Sequence, residues 1–172
     1  MLKIIDWADK FAGDQFVIQR KMIREAMTNP EHPYYGFIRH VLNDIDPNVM
    51  KTTAVNFFIH AALVGWPKQE ENRKKYGCNI PWAILLDPTS ACNLHCTGCW
   101  AAEYGNKLNL SFDEIDNIIQ QGKELGVYLY IYTGGEPMVR KKDLIRLCEK
   151  HNDCVFLCFT NGTLIDEVFA DD

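Results

Sequence analysis

The spacing of hydrophobic positions changes near residue 80. Before it, apolar residues recur every three to four positions. FVIQRKMIREAMT keeps helical spacing up to Asn29-Pro30, and YYGFIRHVLNDI repeats the pattern. Asp46-Pro47 predicts a third helix start, with proline in the first turn where its missing N–H costs nothing, and that helix runs to about Val64. Gly65-Trp66-Pro67 predicts its stop, and the polar stretch KQEENRKKYGCN reads as a loop or a short helix ending at Gly77.

From Ile80 the rhythm alternates between strands and helices. WAILLD (82–87) is a short apolar run and predicts a buried strand, followed by a cysteine-rich loop. Ser111-Phe-Asp-Glu114 is a capping box that opens a helix through Leu125, stopped by Gly126. VYLYIY (127–132) predicts a second strand, Gly134-Gly135-Glu136-Pro137 its exit loop, KKDLIRLCEKH (141–151) a helix, and CVFLCF (154–159) a third strand ending at Thr160-Asn161-Gly162. This order predicts an α/β chain: an N-terminal helical region and linker over 1–79, then a parallel sheet with helical crossovers over 80–172. Ligands gather at the carboxyl ends of strands in such sheets. The cysteine loop, the Gly-Gly-Glu-Pro loop and the Thr-Asn-Gly turn are all expected at that one edge.

Composition narrows the classes. With 18 Lys+Arg against 23 Asp+Glu, the net charge of -5 gives no basic face for nucleic acid. The longest apolar run, residues 54–66, is shorter than the roughly 20 residues a spanning helix needs and contains Asn56 and His60. The first residues, MLKIIDWADKFAGDQ, break their apolar positions with charges and do not read as a signal peptide. Seven cysteines, an odd number without an export signal, point to metal or catalytic use and away from a disulfide framework.

Cys92-Asn-Leu-His-Cys96-Thr-Gly-Cys99 is C-x3-C-x2-C. Such spacing lets three thiolates converge on one metal centre. Three ligands on a [4Fe–4S] cluster leave one iron open to nitrogen and oxygen donors, whereas electron-transfer ferredoxins ligate all four irons. Two other readings stand beside this one: a structural zinc site with His95 or Cys78 as fourth ligand, and a simple electron-transfer cluster.

The three motifs in register, from about residue 82 to 172, resemble the radical S-adenosylmethionine (SAM) superfamily. The resemblance implies a (β/α)6 partial barrel, of which this sequence supplies the first half, about three strand–helix units. It implies a [4Fe–4S] cluster on Cys92, Cys96 and Cys99, with SAM chelating the open iron. One electron from a donor such as flavodoxin or ferredoxin then cleaves SAM to a 5′-deoxyadenosyl radical, which takes hydrogen from a substrate. Gly134, Gly135, Glu136 and Pro137 match the motif that receives the SAM amino group, and Asn161 matches a position near SAM. Where the family often has an aromatic residue before the third cysteine, this chain has Gly98, with Trp100 just after. Oxygen-sensitive chemistry and unpaired thiols imply a reducing cytoplasm. A chain ending at three units is expected to be poorly soluble or inactive alone.

Other residues carry plainer expectations. Cys148, Cys154 and Cys158 read as core thiols. Tyr128, Tyr130 and Tyr132 share one strand face and read as packing, with a substrate-side role the alternative for Tyr132. Arg140 is a candidate partner for a carboxylate. The N-terminal helices are expected to cap the barrel or pack outside it, with a membrane-surface or partner-binding role as the alternative.

Overall fold

The computed structural model describes residues 6, 9–10, 17–105 and 107–171; the expectations for MLKIIDWADKFAGDQ and for Asp172 fall largely outside them. The chain divides into two compact units, Met1–Thr52 and Thr53–Asp172. That division lies earlier than the expected boundary at 79/80, because the helices after Thr53 pack with the sheet.

In the first unit, α1 (Val17–Thr28) packs on α2 (Tyr35–Asp44), and α3 (Pro47–Ala54) begins. The Asp46 carboxylate accepts the backbone N–H of Asn48 (2.8 Å) and Val49 (3.2 Å), the cap that an Asp-Pro start predicts. Arg24 donates to Asp6 (2.8 Å) and Asp9 (2.7 Å).

In the second unit a π-helical stretch (Val55–Gly65) leads into α4 (Trp66–Tyr76). The expected stop at Gly65-Trp66-Pro67 is therefore corrected: the helix runs on to Tyr76 and ends at Gly77, whose φ of 64° and N–H bond to the Arg73 carbonyl form a left-handed cap. Pro67 is tolerated because it falls in the first turn of α4. Polar side chains of the π-helical stretch and of α4 reach backbone carbonyls far along the chain. Asn56 donates to the carbonyls of Asn152 (2.8 Å) and Cys154 (2.9 Å), Lys68 to Lys123 (2.9 Å), Gln69 to Gly126 (2.8 Å) and Asn72 to Glu124 (3.3 Å). Gly65 and Gly126 meet backbone to backbone, each where the other's carbonyl oxygen leaves no room for a Cβ.

Strands β1 (Ile84–Leu86), β2 (Leu129–Tyr132) and β3 (Val155–Cys158) form a parallel sheet in that order, with α5 (Phe112–Leu125), α6 (Lys141–Lys150) and the short α7 (Glu167–Asp171) between and after them. The α/β class and the three strand–helix units agree with the expectation. Ser111 and Glu114 close the predicted capping box, and Gly126 ends α5 at φ 95°. One sheet face is packed: Tyr128, Tyr130 and Tyr132 lie buried with Ile115, Ile119 and Leu147. The Tyr130 hydroxyl donates to the carbonyls of Ile119 (2.9 Å) and Val127 (3.0 Å). On the other face Leu85, Ile131 and Leu157 stand in register across the three strands, Leu85 and Leu157 exposed.

Helices α5 and α6 are joined by a polar cluster around the buried Asp116. Asp116 receives His151 Nε2 at 2.8 Å, Lys150 Nζ at 2.9 Å and Gln120 Nε2 at 2.5 Å. Burial disfavours the Asp116 carboxylate, but Lys150, His151 and Gln120 outweigh it and hold its pKa below the ordinary value.

Two outcomes follow from this packing. In Gly65→Ala the new methyl stands 2.5 Å from the Gly126 carbonyl oxygen, and overpacking of this kind costs about 1–3 kcal/mol in urea unfolding. A carboxylate depressed in the fold contributes stability above about pH 4, and that contribution is lost as pH falls through its lower folded value. The urea midpoint of the wild type therefore drops on acidification below about pH 4, and Asp116→Asn shows a smaller drop. An identical acid slope in the two proteins overturns this assignment.

Candidate functional site

The carboxyl ends of the three strands meet at one edge, and hydrogen bonds join their exit loops. The Gly135 N–H donates to the Thr89 carbonyl (3.0 Å) and the Glu136 N–H to the Ala91 carbonyl (2.8 Å), so the Gly-Gly-Glu loop lies against the entry of the cysteine loop. Glycine is required by this approach. Gly134 has φ 105°, and a Cβ at Gly135 would overlap the Ala91 carbonyl oxygen and stand 2.6 Å from that of Ser90. On its other side the cysteine-loop entry pairs with residues 108–110. Ser90 N–H donates to the Leu108 carbonyl (2.8 Å), Leu110 N–H to the Pro88 carbonyl (3.1 Å) and Thr89 Oγ1 to Asn109 Oδ1 (2.6 Å).

Glu136 is buried, with 1% of its surface exposed. Its Oε1 accepts the Met138 N–H (2.8 Å) and the Thr160 hydroxyl (2.6 Å), and its Oε2 accepts the Asn161 N–H (2.7 Å). Three of about four acceptor sites on the carboxylate are thus used within the protein. Pro137, also buried, starts the 3-10 turn Pro137–Arg140.

The cysteine loop projects from this frame. Cys92 is half-buried, and Cys96 and Cys99 are exposed; none is in a disulfide. A turn closed by Cys99 N–H to the Cys96 carbonyl (3.2 Å), with Gly98 at φ 75°, separates the last two thiols. Among the described residues no three His, Cys, Asp or Glu side chains stand close enough to hold a metal ion, so the thiols share a loop without sharing a coordination sphere. The donor set nonetheless fits an iron–sulfur cluster: three free thiols on one accessible loop.

A cleft of about 530 Å³ opens beside this loop, lined by Asp87, Thr89, Trp100, Tyr104, Lys107 and Gly134 among others. Trp100 and Tyr104 meet edge-to-face at 5.9 Å. Trp100, not residue 98, is therefore the aromatic group that the cysteine loop places near the glycine pair.

Several other candidates lie elsewhere. Arg140 is committed to the fold: Nη1 donates to the Pro88 carbonyl (2.9 Å) and the Leu110 carbonyl, and Nη2 to Asp143 (2.7 Å). Tyr132 stacks on Phe156 at 5.7 Å on the helix-covered face and is 2% exposed, so the packing expectation holds. Cys148, Cys154 and Cys158 line the same interior. Burial pushes their thiols up, to about 11, about 12 and about 11. Thr89, Asn93 and Thr163, which no spacing rule marks, join Thr160 of the expected exit turn in tying the loops together.

Against this geometry stand the known proteins. The family profile of the Radical SAM superfamily matches residues 86–172, half of the chain, and the chain belongs to that superfamily. Membership brings a [4Fe–4S] cluster and SAM as the general cofactors. Relatives named GTP 3′,8-cyclase include one from Clostridium perfringens, 29% identical over 102 residues (55% of this chain, 31% of the relative). Another, from Geobacter sulfurreducens, is 34% identical over 95 residues (51% and 29%). A protein of Archaeoglobus fulgidus with no described function is 30% identical over 107 residues (60% and 25%). The chain therefore spans less than a third of the length of these relatives. No solved structure matches it. Among the described residues no helix is long and apolar enough to cross a membrane.

The contrast in burial sets an expected chemical pattern. Brief alkylation of the native, metal-free protein under reducing conditions near pH 8, read by peptide mass spectrometry, labels Cys78, Cys96 and Cys99 first. Cys154, buried and with its thiol pushed up to about 12, stays unlabelled until the protein is denatured. Equal labelling of Cys154 and Cys96 contradicts this placement.

Proposed function

We propose that this chain carries the cofactor-binding front of a radical SAM enzyme, with Cys92, Cys96 and Cys99 holding a [4Fe–4S] cluster. The observation that carries the reading is the union of the three strand exits at one edge, where the loop bearing the thiols is bonded directly to Gly135 and Glu136. Gly134 and Gly135 present backbone to the SAM amino group. Pro137 and the buried Glu136 hold that backbone in place, and Asn161, bonded to Glu136, stands beside it. With cluster and SAM bound, the site supplies reductive cleavage of SAM and removal of a hydrogen atom from a substrate. The protein's own part is to orient the ligands and to keep the glycine backbone open. The cleft lined by Trp100, Tyr104 and Gly134 offers aromatic surface beside the cysteine loop.

The superfamily profile covers residues 86–172, which bear the thiols and strand exits, so it supports the cofactor chemistry. It leaves the substrate of this protein open. The reading carries with it an oxidoreductase-type reaction, an electron donor such as flavodoxin or ferredoxin, and a reducing cytoplasmic setting.

Anaerobic reconstitution followed by EPR of the reduced protein tests the proposal. The expected result is a [4Fe–4S] signal that changes when SAM is added. In Gly135→Ala the cluster signal persists while its response to SAM is lost, because the added methyl displaces the loop from Ala91. A wild type that binds zinc but takes up no iron, or a cluster indifferent to SAM in the intact protein, overturns the reading in favour of a structural zinc site or simple electron transfer.

A further inference from the structure

Asn93 follows the first cysteine directly, and the cysteine spacing makes no demand on it. Its side chain reaches segments about seventy positions away. Nδ2 donates to Thr163 Oγ1 at 2.8 Å, and Oδ1 accepts Asn161 Nδ2 at 3.0 Å. Thr163 completes the circuit by donating its hydroxyl to Asn161 Oδ1 at 2.7 Å, and its backbone N–H reaches the same oxygen at 3.0 Å. The three side chains thus form a closed ring in which each donates once and accepts once. The amide orientations are mutually fixed: the Thr163 hydroxyl hydrogen is used on Asn161, so Asn93 must present its NH2 group to that oxygen. The ring is anchored from below, because the Asn161 N–H donates to the buried Glu136 carboxylate at 2.7 Å. On either side of Asn93 the loop also makes a local turn, in which the Leu94 N–H donates to Cys92 Sγ at 3.4 Å.

We propose that Asn93 is a positioning residue for the cluster site: through Thr163 and Asn161 it clasps the first turn of the cysteine loop to the exit of β3. This rests on the reading that Cys92, Cys96 and Cys99 hold the cluster. The clasp acts before any metal arrives. Cys92 starts from a turn tied to the sheet, and the exposed turn with Cys96 and Cys99 is the part left to adjust. Each bond of the ring is exposed and competes with water, so a single one contributes little; closure of the ring, with its polarised chain of donors, makes the contact worth more than an isolated pair.

The test uses the intact protein with Asn93→Ala, Thr163→Val and Thr163→Ser. In the metal-free state, hydrogen exchange of the peptide spanning residues 91–99 is expected to be about fivefold faster in Asn93→Ala and in Thr163→Val, and unchanged in Thr163→Ser, which keeps the hydroxyl. Peptides from β2 and α6 exchange alike in all of them, which separates a local effect from misfolding. After reconstitution, the visible absorbance of the cluster is expected to be lost to a chelator several-fold faster in the first two variants than in the wild type and Thr163→Ser. Wild-type exchange and chelator rates in both Asn93→Ala and Thr163→Val overturn the clasp. Failure of the wild type itself to take up iron sinks the cluster reading, while the metal-free exchange still decides whether the ring holds the loop.

Discussion

Everything at the strand exits depends on the buried carboxylate of Glu136. A carboxylate taken out of water is costly unless its oxygens are met by donors. Here the donors come from two different loops: the Met138 N–H belongs to its own, and the Thr160 hydroxyl and Asn161 N–H to the exit of β3. The carboxylate is satisfied only when both loops are in place, so its desolvation enforces their relative position. The Glu136 N–H extends the same constraint to the cysteine loop through the Ala91 carbonyl. One residue thereby connects three exits that the chain itself leaves unconnected, which is how a short parallel sheet comes to have a defined edge.

The opposite end of the unit is built differently. There the side-chain amides of Asn56, Gln69 and Asn72 and the ammonium of Lys68 cover carbonyls at the end of α5 and around the entries to β2 and β3. These are the groups that a helix terminus and a strand entry leave unpaired. A polar helix is suited to the task because apolar side chains would bury those carbonyls without partners. The helix from Val55 to Tyr76 thus serves the sheet although most of its apolar surface, including Phe58 and Leu63, faces outward.

These two ends were unequally legible in the sequence. Local rules were sufficient for the Ser111–Glu114 box, the Gly77 and Gly126 caps and the alternation of Tyr128, Tyr130 and Tyr132, because each depends on neighbours within a few positions. The convergence of the three exits was legible too, since a parallel order dictates it. What lay beyond reach was the work of residues whose partners are remote in the chain. Gly65-Trp66-Pro67 carries every local sign of a helix stop, yet the remote carbonyls that Lys68, Gln69 and Asn72 reach favour continuation. Arg140 has the composition of an anion site, but Pro88, Leu110 and Asp143 consume its donors. Its motif marks Glu136 in the sequence, but the bonds of its carboxylate to Thr160 and Asn161 depend on residues that only the fold brings near.

The same contrast explains why the edge combines a stiff part with a compliant one. The glycine pair has carbonyls of the cysteine loop pressed against it, so that backbone has little freedom and its presentation to a ligand is set in advance. Beyond Asn93 the cysteine loop has few such ties, and Cys96 and Cys99 lie exposed on a turn around Gly98. A cluster needs three sulfurs at distances dictated by iron, and a compliant turn can meet that requirement without distorting the sheet. A small organic ligand needs fixed donors and acceptors, which a compliant loop would hold poorly. In the proposed function, tightly packed glycine backbone beside exposed thiols would let metal assembly and ligand recognition interfere little with each other.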